Sequence, residues 1–191
     1  MSIPTKEQAT RFLAPLKGKA TVVLLHDTRA RMQLDRFMLG CAGLQRMTTT
    51  VLDADAFYSS NMDRFAEETR SIPMGELLLL PEQDFEVQSL LPLLSSKREM
   101  LIIDGLNSLY SLASDGRKSQ QLSIFMKLLS HNARMNGSWV VATAFRTELG
   151  RKQEEQNHRS LTALGDLLID TDFQGGAVRL KGHWPNRELV L

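Results

Sequence analysis

Apolar and polar positions alternate in blocks along the chain, and the blocks predict elements in turn. Residues 5 to 14 predict a short helix ended before Pro15, and "KGK" at 17 to 19 turns into a first strand, Thr21 to Leu25. Eight polar or small residues, "HDTRARMQ" (26 to 33), interrupt the pattern. Leu34, Phe37, Met38, Cys41 and Leu44 then recur at helical spacing and predict a helix around 30 to 45. "TTTVLDADAF" predicts a strand ending at Asp53, a helical stretch follows near 61 to 70, and "ELLLLPEQ" predicts a short buried strand closed by Pro81. "DFEVQSLLPLLSS" predicts a helix that Pro92 disturbs, with the apolar runs around Pro73 and Pro92 assigned to the core. Met100 to Ile103 form a buried strand ending at an acid.

The clearest helix is "KSQQLSIFMKLLSHNARMNG", where Leu122, Phe125, Met126, Leu129 and Ala133 share a face and Gly137 supplies the stop. "SWVVATAF" predicts the next strand. Beyond a charged stretch, 146 to 159, come "DLLIDTDF", "AVRLKG" and "ELVL", close enough together to form an antiparallel extension. Short apolar strands alternating with amphipathic helices imply an α/β fold, a mainly parallel sheet covered on both faces.

Composition narrows the function classes. The 191 residues suit one domain, with residues 1 to 17 as a lead-in segment, and 42% hydrophobic content is ordinary for a globular chain. With 23 Lys+Arg against 22 Asp+Glu there is no global field toward nucleic acid or membranes, so any such binding needs a local patch. The single cysteine, Cys41, lies on an apolar helical face and cannot form a disulfide within the chain or a cysteine metal site. His26, His131, His158 and His183 show no metal-ligand spacing, and Trp139 and Trp184 read as packing residues. The sequence shows neither a signal-peptide core nor an apolar span of transmembrane length, which predicts an intracellular protein, cytoplasmic (with the nucleoid) or nuclear.

The order of the motifs resembles the core domain of the RecA superfamily, in particular RadA-type recombinases and their paralogs, over about Gly18 to Leu191. Val22 to Leu25 and the polar run after them stand at the P-loop position. "VLDADAF" resembles the second strand, "MLIIDGLNSLY" the Walker B strand, "SWVVATAF" the strand that ends in Thr-Asn-Gln, and "VRLKGHWPNRELVL" the terminal hairpin. The resemblance implies a three-layer sandwich with an antiparallel C-terminal hairpin, without the family's separate N-terminal DNA-binding domain.

It also implies a degenerate nucleotide site. A working P-loop needs glycines that let backbone N–H groups reach phosphate, a lysine on the β- and γ-phosphates, and a Ser/Thr hydroxyl on Mg²⁺. Aligned on the first strand, His26, Arg29 and Arg31 stand at glycine positions, Met32 replaces the lysine, and Gln33 replaces the Ser/Thr. Asp104 stands at the Walker B acid, Asp55 at the catalytic glutamate, and Phe145 at the glutamine that senses the γ-phosphate. No ATPase activity and no cofactor are expected. Two readings of Arg29 and Arg31 stay open, phosphate ligands in a loop of another shape or solvated side chains at a helix start. Asp104, equally, could serve the fold by accepting backbone hydrogen bonds.

The loops that touch single-stranded DNA in such recombinases correspond to "SLASDGRKSQQ", with Arg117 and Lys118, and to "RTELGRKQEEQNHRS", with Arg146, Arg151, Lys152, His158 and Arg159. Neither has an aromatic for base stacking, and a solvated charged loop is the competing reading. The expectation is a non-catalytic recombinase paralog acting in homologous recombination or repair through single-stranded DNA, a recombinase or a paralog, in a hetero- or homo-oligomer. The alternatives are a subunit of another RecA-like assembly, Elongator-type or KaiC-like, without a DNA role, and an ATPase with an unorthodox site.

Overall fold

A computed structural model describes residues 4–61, 63, 65, 74–79, 85–95, 98–113, 115–146, 165–174, 177–182 and 188–190. Eight strands form one sheet: β1 (Lys19–Leu25), β2 (Thr49–Asp53), β3 (Met74–Leu79), β4 (Met100–Asp104), β5 (Trp139–Phe145), β6 (Leu167–Gln174), β7 (Ala177–Gly182) and β8 (Glu188–Val190). Their order is β3-β2-β4-β5-β1-β6-β7-β8. The first six are mutually parallel, and β7 and β8 extend the sheet antiparallel. This is the predicted α/β sheet with its antiparallel end.

Strand parity divides the core in two, because successive side chains point to opposite faces. Val23, Leu25, Val51, Ile102, Val141 and Ile169 belong to one apolar cluster, shared with helices α1 (Lys6–Leu13), α2 (Thr28–Gln45) and α3 (Phe57–Ser60). Val22, Leu24, Leu52, Leu101, Ile103, Ala142 and Leu168 belong to the other. There the cover is a 3₁₀ turn (Val87–Leu90), a helical turn α4 (Pro92–Ser95), α5 (Leu106–Leu112) and α6 (Gly116–Asn136). Both faces of the parallel part are therefore buried.

Local chemistry accounts for several boundaries. Thr5 and Gln8 form a reciprocal capping box that starts α1. α6 begins at the Asp115 cap, whose carboxylate accepts the Lys118 N–H, and ends at Gly137, which holds φ +64° as its left-handed cap. Its buried residues are the five expected ones, Leu122, Phe125, Met126, Leu129 and Ala133. Cys41 is buried, as its position predicts.

Some expectations are corrected. β1 starts at Lys19, where the strand pairs with Trp139 of β5, two residues before the predicted start. The predicted helix around Pro92 is two short pieces, since proline has no N–H to continue a ladder but suits the start of a new turn. Leu90 and Leu93 are buried there, whereas Leu91 and Pro92 are exposed and outside the core. A separate helical turn, α3, precedes the predicted stretch, since the Asp53 carboxylate accepts the N–H groups of Phe57 and Ser59; residues 63 and 65 of the predicted stretch are helical. Residues 62, 64 and 66 to 70 of that predicted helix, Pro73, Pro81, His158, His183 and Trp184 lie outside the described residues.

Candidate functional site at the carboxyl ends of the parallel strands

The carboxyl ends of β1, β2, β4 and β5 meet beside the start of α2, the position where open α/β sheets carry their ligands. Parity decides what stands there. Asp53, Asp104, Thr143 and Phe145 each lie an even number of residues from a side chain of the α2-side cluster, so all four face α2.

The connection from β1 to α2 is two residues, His26 and Asp27, and the helix begins at Thr28. This corrects the eight-residue loop expected for "HDTRARMQ": most of those residues are helix. The Asp27 side chain accepts the Arg29 N–H, so a carboxylate already holds the helix N-terminus, where partial positive charge would otherwise draw an anion. Arg29 bends back onto the same carboxylate with Nη2 at 2.6 Å, stacks over Phe173, and holds Asp27 below the usual carboxylate range.

Arg31, in the first turn of α2, is the centre of the site. It is not a solvated residue at a helix start; only 3% of it is exposed. Nε and Nη2 donate to the two oxygens of Asp104 at 3.0 and 2.5 Å, and Nη1 and Nη2 donate to those of Asp55 at 2.9 and 2.5 Å. The planar guanidinium thus spans two carboxylates, a geometry that a lysine cannot copy. Phe57 covers its face at 3.9 Å from the ring centroid and Phe145 lies at 5.6 Å. Burial lowers the Arg31 pKa, but the hydrogen bonds it donates to Asp55 and Asp104 outweigh that and hold the group charged above its ordinary range.

Asp104 accepts side-chain donors, not the backbone bonds expected as its structural role: besides Arg31, the Thr143 hydroxyl donates to it at 2.6 Å. Thr143 in turn accepts the Gly105 N–H at 3.1 Å. Gly105 holds φ +86°, and a Cβ there would come within 3.0 Å of the Asp55 carboxyl. Glycine is therefore needed twice over, for the backbone angle and for the approach of Asp55. Asn107 fastens α5 to β5, its amide exchanging two hydrogen bonds with the backbone of Phe145.

Below this cluster lies a buried acid. Asp35 is fully buried one turn beyond Arg31. Burial, and then the negative charge of Asp104, raise its pKa well above the usual carboxylate range; Arg31 opposes the rise. The Tyr58 hydroxyl is its polar neighbour, pushed up by burial and by Asp35. Burial likewise raises Asp104, against the pull of Arg31 and Thr143.

Asp53, Asp55 and Asp104 offer oxygens within 4.8 Å of one another, as a divalent cation would require. The arrangement does not fit one, because the guanidinium bridges Asp55 and Asp104 while Asp53 is engaged by two backbone N–H groups. Met32 packs against the core and carries no charge. Gln33, beside it, is half-buried in the helix.

The predicted site residues separate into two groups. Arg31, Asp55, Asp104 and Phe145 come together; Arg29 is turned away to Asp27. Asn107, Thr143, Asp35, Tyr58 and Phe57 were not predicted. Asp35 alone left a signal, since Arg31 and Asp35 at i, i+4 precede Met38 and Ala42 on one buried stripe of α2.

The candidate DNA contacts fare differently. Arg117 and Lys118 are not in a loop but in the first turn of α6; Arg117 is exposed, while Lys118 Nζ reaches the Phe85 carbonyl at 2.8 Å and Glu86 at 3.0 Å. Arg146 follows β5, its N–H donating to the Leu25 carbonyl and its Nη1 3.7 Å from Asp170, which also bonds His26. Arg151, Lys152, His158 and Arg159 lie outside the described residues. No protein-family model matches the chain, and no curated protein matches it.

Proposed function

We propose that this protein is a non-catalytic RecA-like subunit, a recombinase paralog that assists homologous recombination or repair by binding a recombinase or paralog instead of turning over ATP. The carrying observation is the Arg31 guanidinium bridging Asp55 and Asp104, the two acids that the resemblance aligns with the metal-orienting and catalytic positions. A side-chain cation takes the place of a metal and nucleotide. The two-residue β1–α2 connection and the Asp27 cap support the same reading, since they leave neither a glycine-rich cradle nor a free helix N-terminus for phosphate. The strand arrangement, six parallel and two antiparallel at the C-terminal end, agrees with what the resemblance implies. Two of the expected DNA contacts, Lys118 and Arg146, face acids, which favours a protein partner over single-stranded DNA.

Thermal denaturation with and without Mg²⁺-ATP tests the central point, because a ligand selective for the folded state must raise the midpoint. The expected result is an unchanged midpoint, and a rise that grows with ATP concentration would overturn the reading. Titration of labelled single-stranded DNA at two salt concentrations tests the DNA arm; salt-sensitive binding would restore it. Affinity capture from the native host should retrieve a RecA-family protein, whereas an Elongator-type or KaiC-like ring would support the alternative.

A further inference from the structure

The two ends of the sheet differ in charge. Asp53, Asp55 and Asp104 stand at the carboxyl end, whereas the amino end carries cations. Register sets β2, β4, β5 and β1 level there, with Thr49 opposite Met100, Met100 opposite Trp139 and Trp139 opposite Lys19. The residues that lead into these strands are joined as well. The Thr48 carbonyl accepts the Glu99 and Met100 N–H groups, the Glu99 carbonyl accepts the Trp139 N–H, and the Ser138 carbonyl accepts the Gly18 N–H. They form one ledge across four strands, about 14 Å wide at ordinary strand spacing.

Lys17, Arg46 and Arg98 each precede a strand of this ledge by two or three residues, and Lys19 opens β1. Arg134 lies against Gly18, where a Cβ would be 3.6 Å from the Arg134 Cα. Lys17, Arg46 and Arg134 are exposed. Arg46 and Arg134 also answer the negative ends of α2 and α6, but Lys19 and Arg98 lie on the strand side and add charge beyond that. Among the described residues two acids stand with them, and both are engaged. Glu99 accepts the Thr48 N–H at 2.8 Å, and Asp166 accepts the Ala20 N–H, the Ser130 hydroxyl and Arg134. The uncharged groups are a hydroxyl and two amides, Ser138, Asn132 and Asn136, which line a small cleft with Arg98. Cations, hydroxyls and amides are the side-chain set that holds phosphate oxygens. A protein partner would call for an apolar centre, and none of the large hydrophobic side chains at the strand entries is exposed. Trp139 is half-buried with Lys17 over its ring and its Nε1 donating to the Leu13 carbonyl, so it offers no open face for stacking on a base.

We infer that this ledge binds the phosphate backbone of duplex nucleic acid without reading its sequence. It lies at the opposite end of the sheet from Arg31, so the nucleotide and partner tests neither support nor exclude it. The probe is a fluorescein-labelled DNA duplex of mixed sequence, titrated with the full chain by fluorescence anisotropy beside one of its single strands. The duplex should bind at low salt at least as tightly as the single strand. With three phosphates held, its affinity should fall about fortyfold between about 50 and 200 mM salt. Lys17→Gln with Arg46→Gly should weaken binding about tenfold and lower the salt slope by about two. Glycine suits the left-handed cap that Arg46 occupies at φ 54°, so this variant keeps the end of α2. Lys127→Gln, which removes an exposed cation from the middle of α6, should change nothing. No binding at low salt, indifference to salt, an unchanged affinity in the Lys17→Gln, Arg46→Gly variant, or tighter binding of the single strand would overturn the inference. So would loss of binding on Arg117→Gln with Arg146→Gln, which would move the contact to the carboxyl end. Displacement of the duplex by poly-glutamate at equal charge would overturn it as well, assigning the ledge to an acidic protein.

Discussion

Arg31 and Asp35 stand one turn apart on α2 and make opposite demands on the interior. Removing Arg31 strands two carboxylates, one of them fully buried, so Arg31→Ala should cost about 3–5 kcal/mol. Arg31→Lys keeps the charge but not the fork, and should recover only part of that loss. Urea denaturation reads both, and the cost of Arg31→Ala should shrink in mild acid as the stranded, buried Asp104 takes up a proton. Asp35 works in the other direction. Its raised pKa means that the folded state holds this proton more tightly than the unfolded chain. The stability linked to it is complete below the unfolded value of about 4 and declines as pH rises toward the folded one. Asp35→Asn should therefore raise stability near neutrality by about 1–3 kcal/mol and change little at about pH 4. Thermal midpoints at the two pH values check this; equal effects at both would show that the proton is not held there.

At the scale of elements, the most periodic segments were the most legible. α6 carries its apolar residues in register from Leu122 to Ala133, about three turns, has Asp115 to start it and Gly137 to stop it, and each signal agrees with the others. Gly137→Ala should cost about 1 kcal/mol, measured by chemical denaturation, since φ +64° suits a residue without Cβ. The start of α2 was illegible for a physical reason. Its first turns bury Arg31 and Asp35, and polar residues on a buried helical face look, in sequence, like a loop. Asp27 was the available clue, because an aspartate before a helix is a common cap.

For the molecule as a whole, alternation of strand and helix made the α/β sheet and its antiparallel end readable, and strand parity then put Asp53, Asp104, Thr143 and Phe145 on one face. The join between them was not readable. Arg31 finds its partners 24 and 73 residues away, and nothing in local spacing encodes contacts closed by the sheet. The same join has a consequence in time. A cation carried on the chain is never exchanged, chelated or hydrolysed, so the positive charge that Arg31 brings to the head of this sheet is set at folding. If nucleotide does not bind there, as proposed, a complex built at that end lasts as long as its own dissociation rate allows.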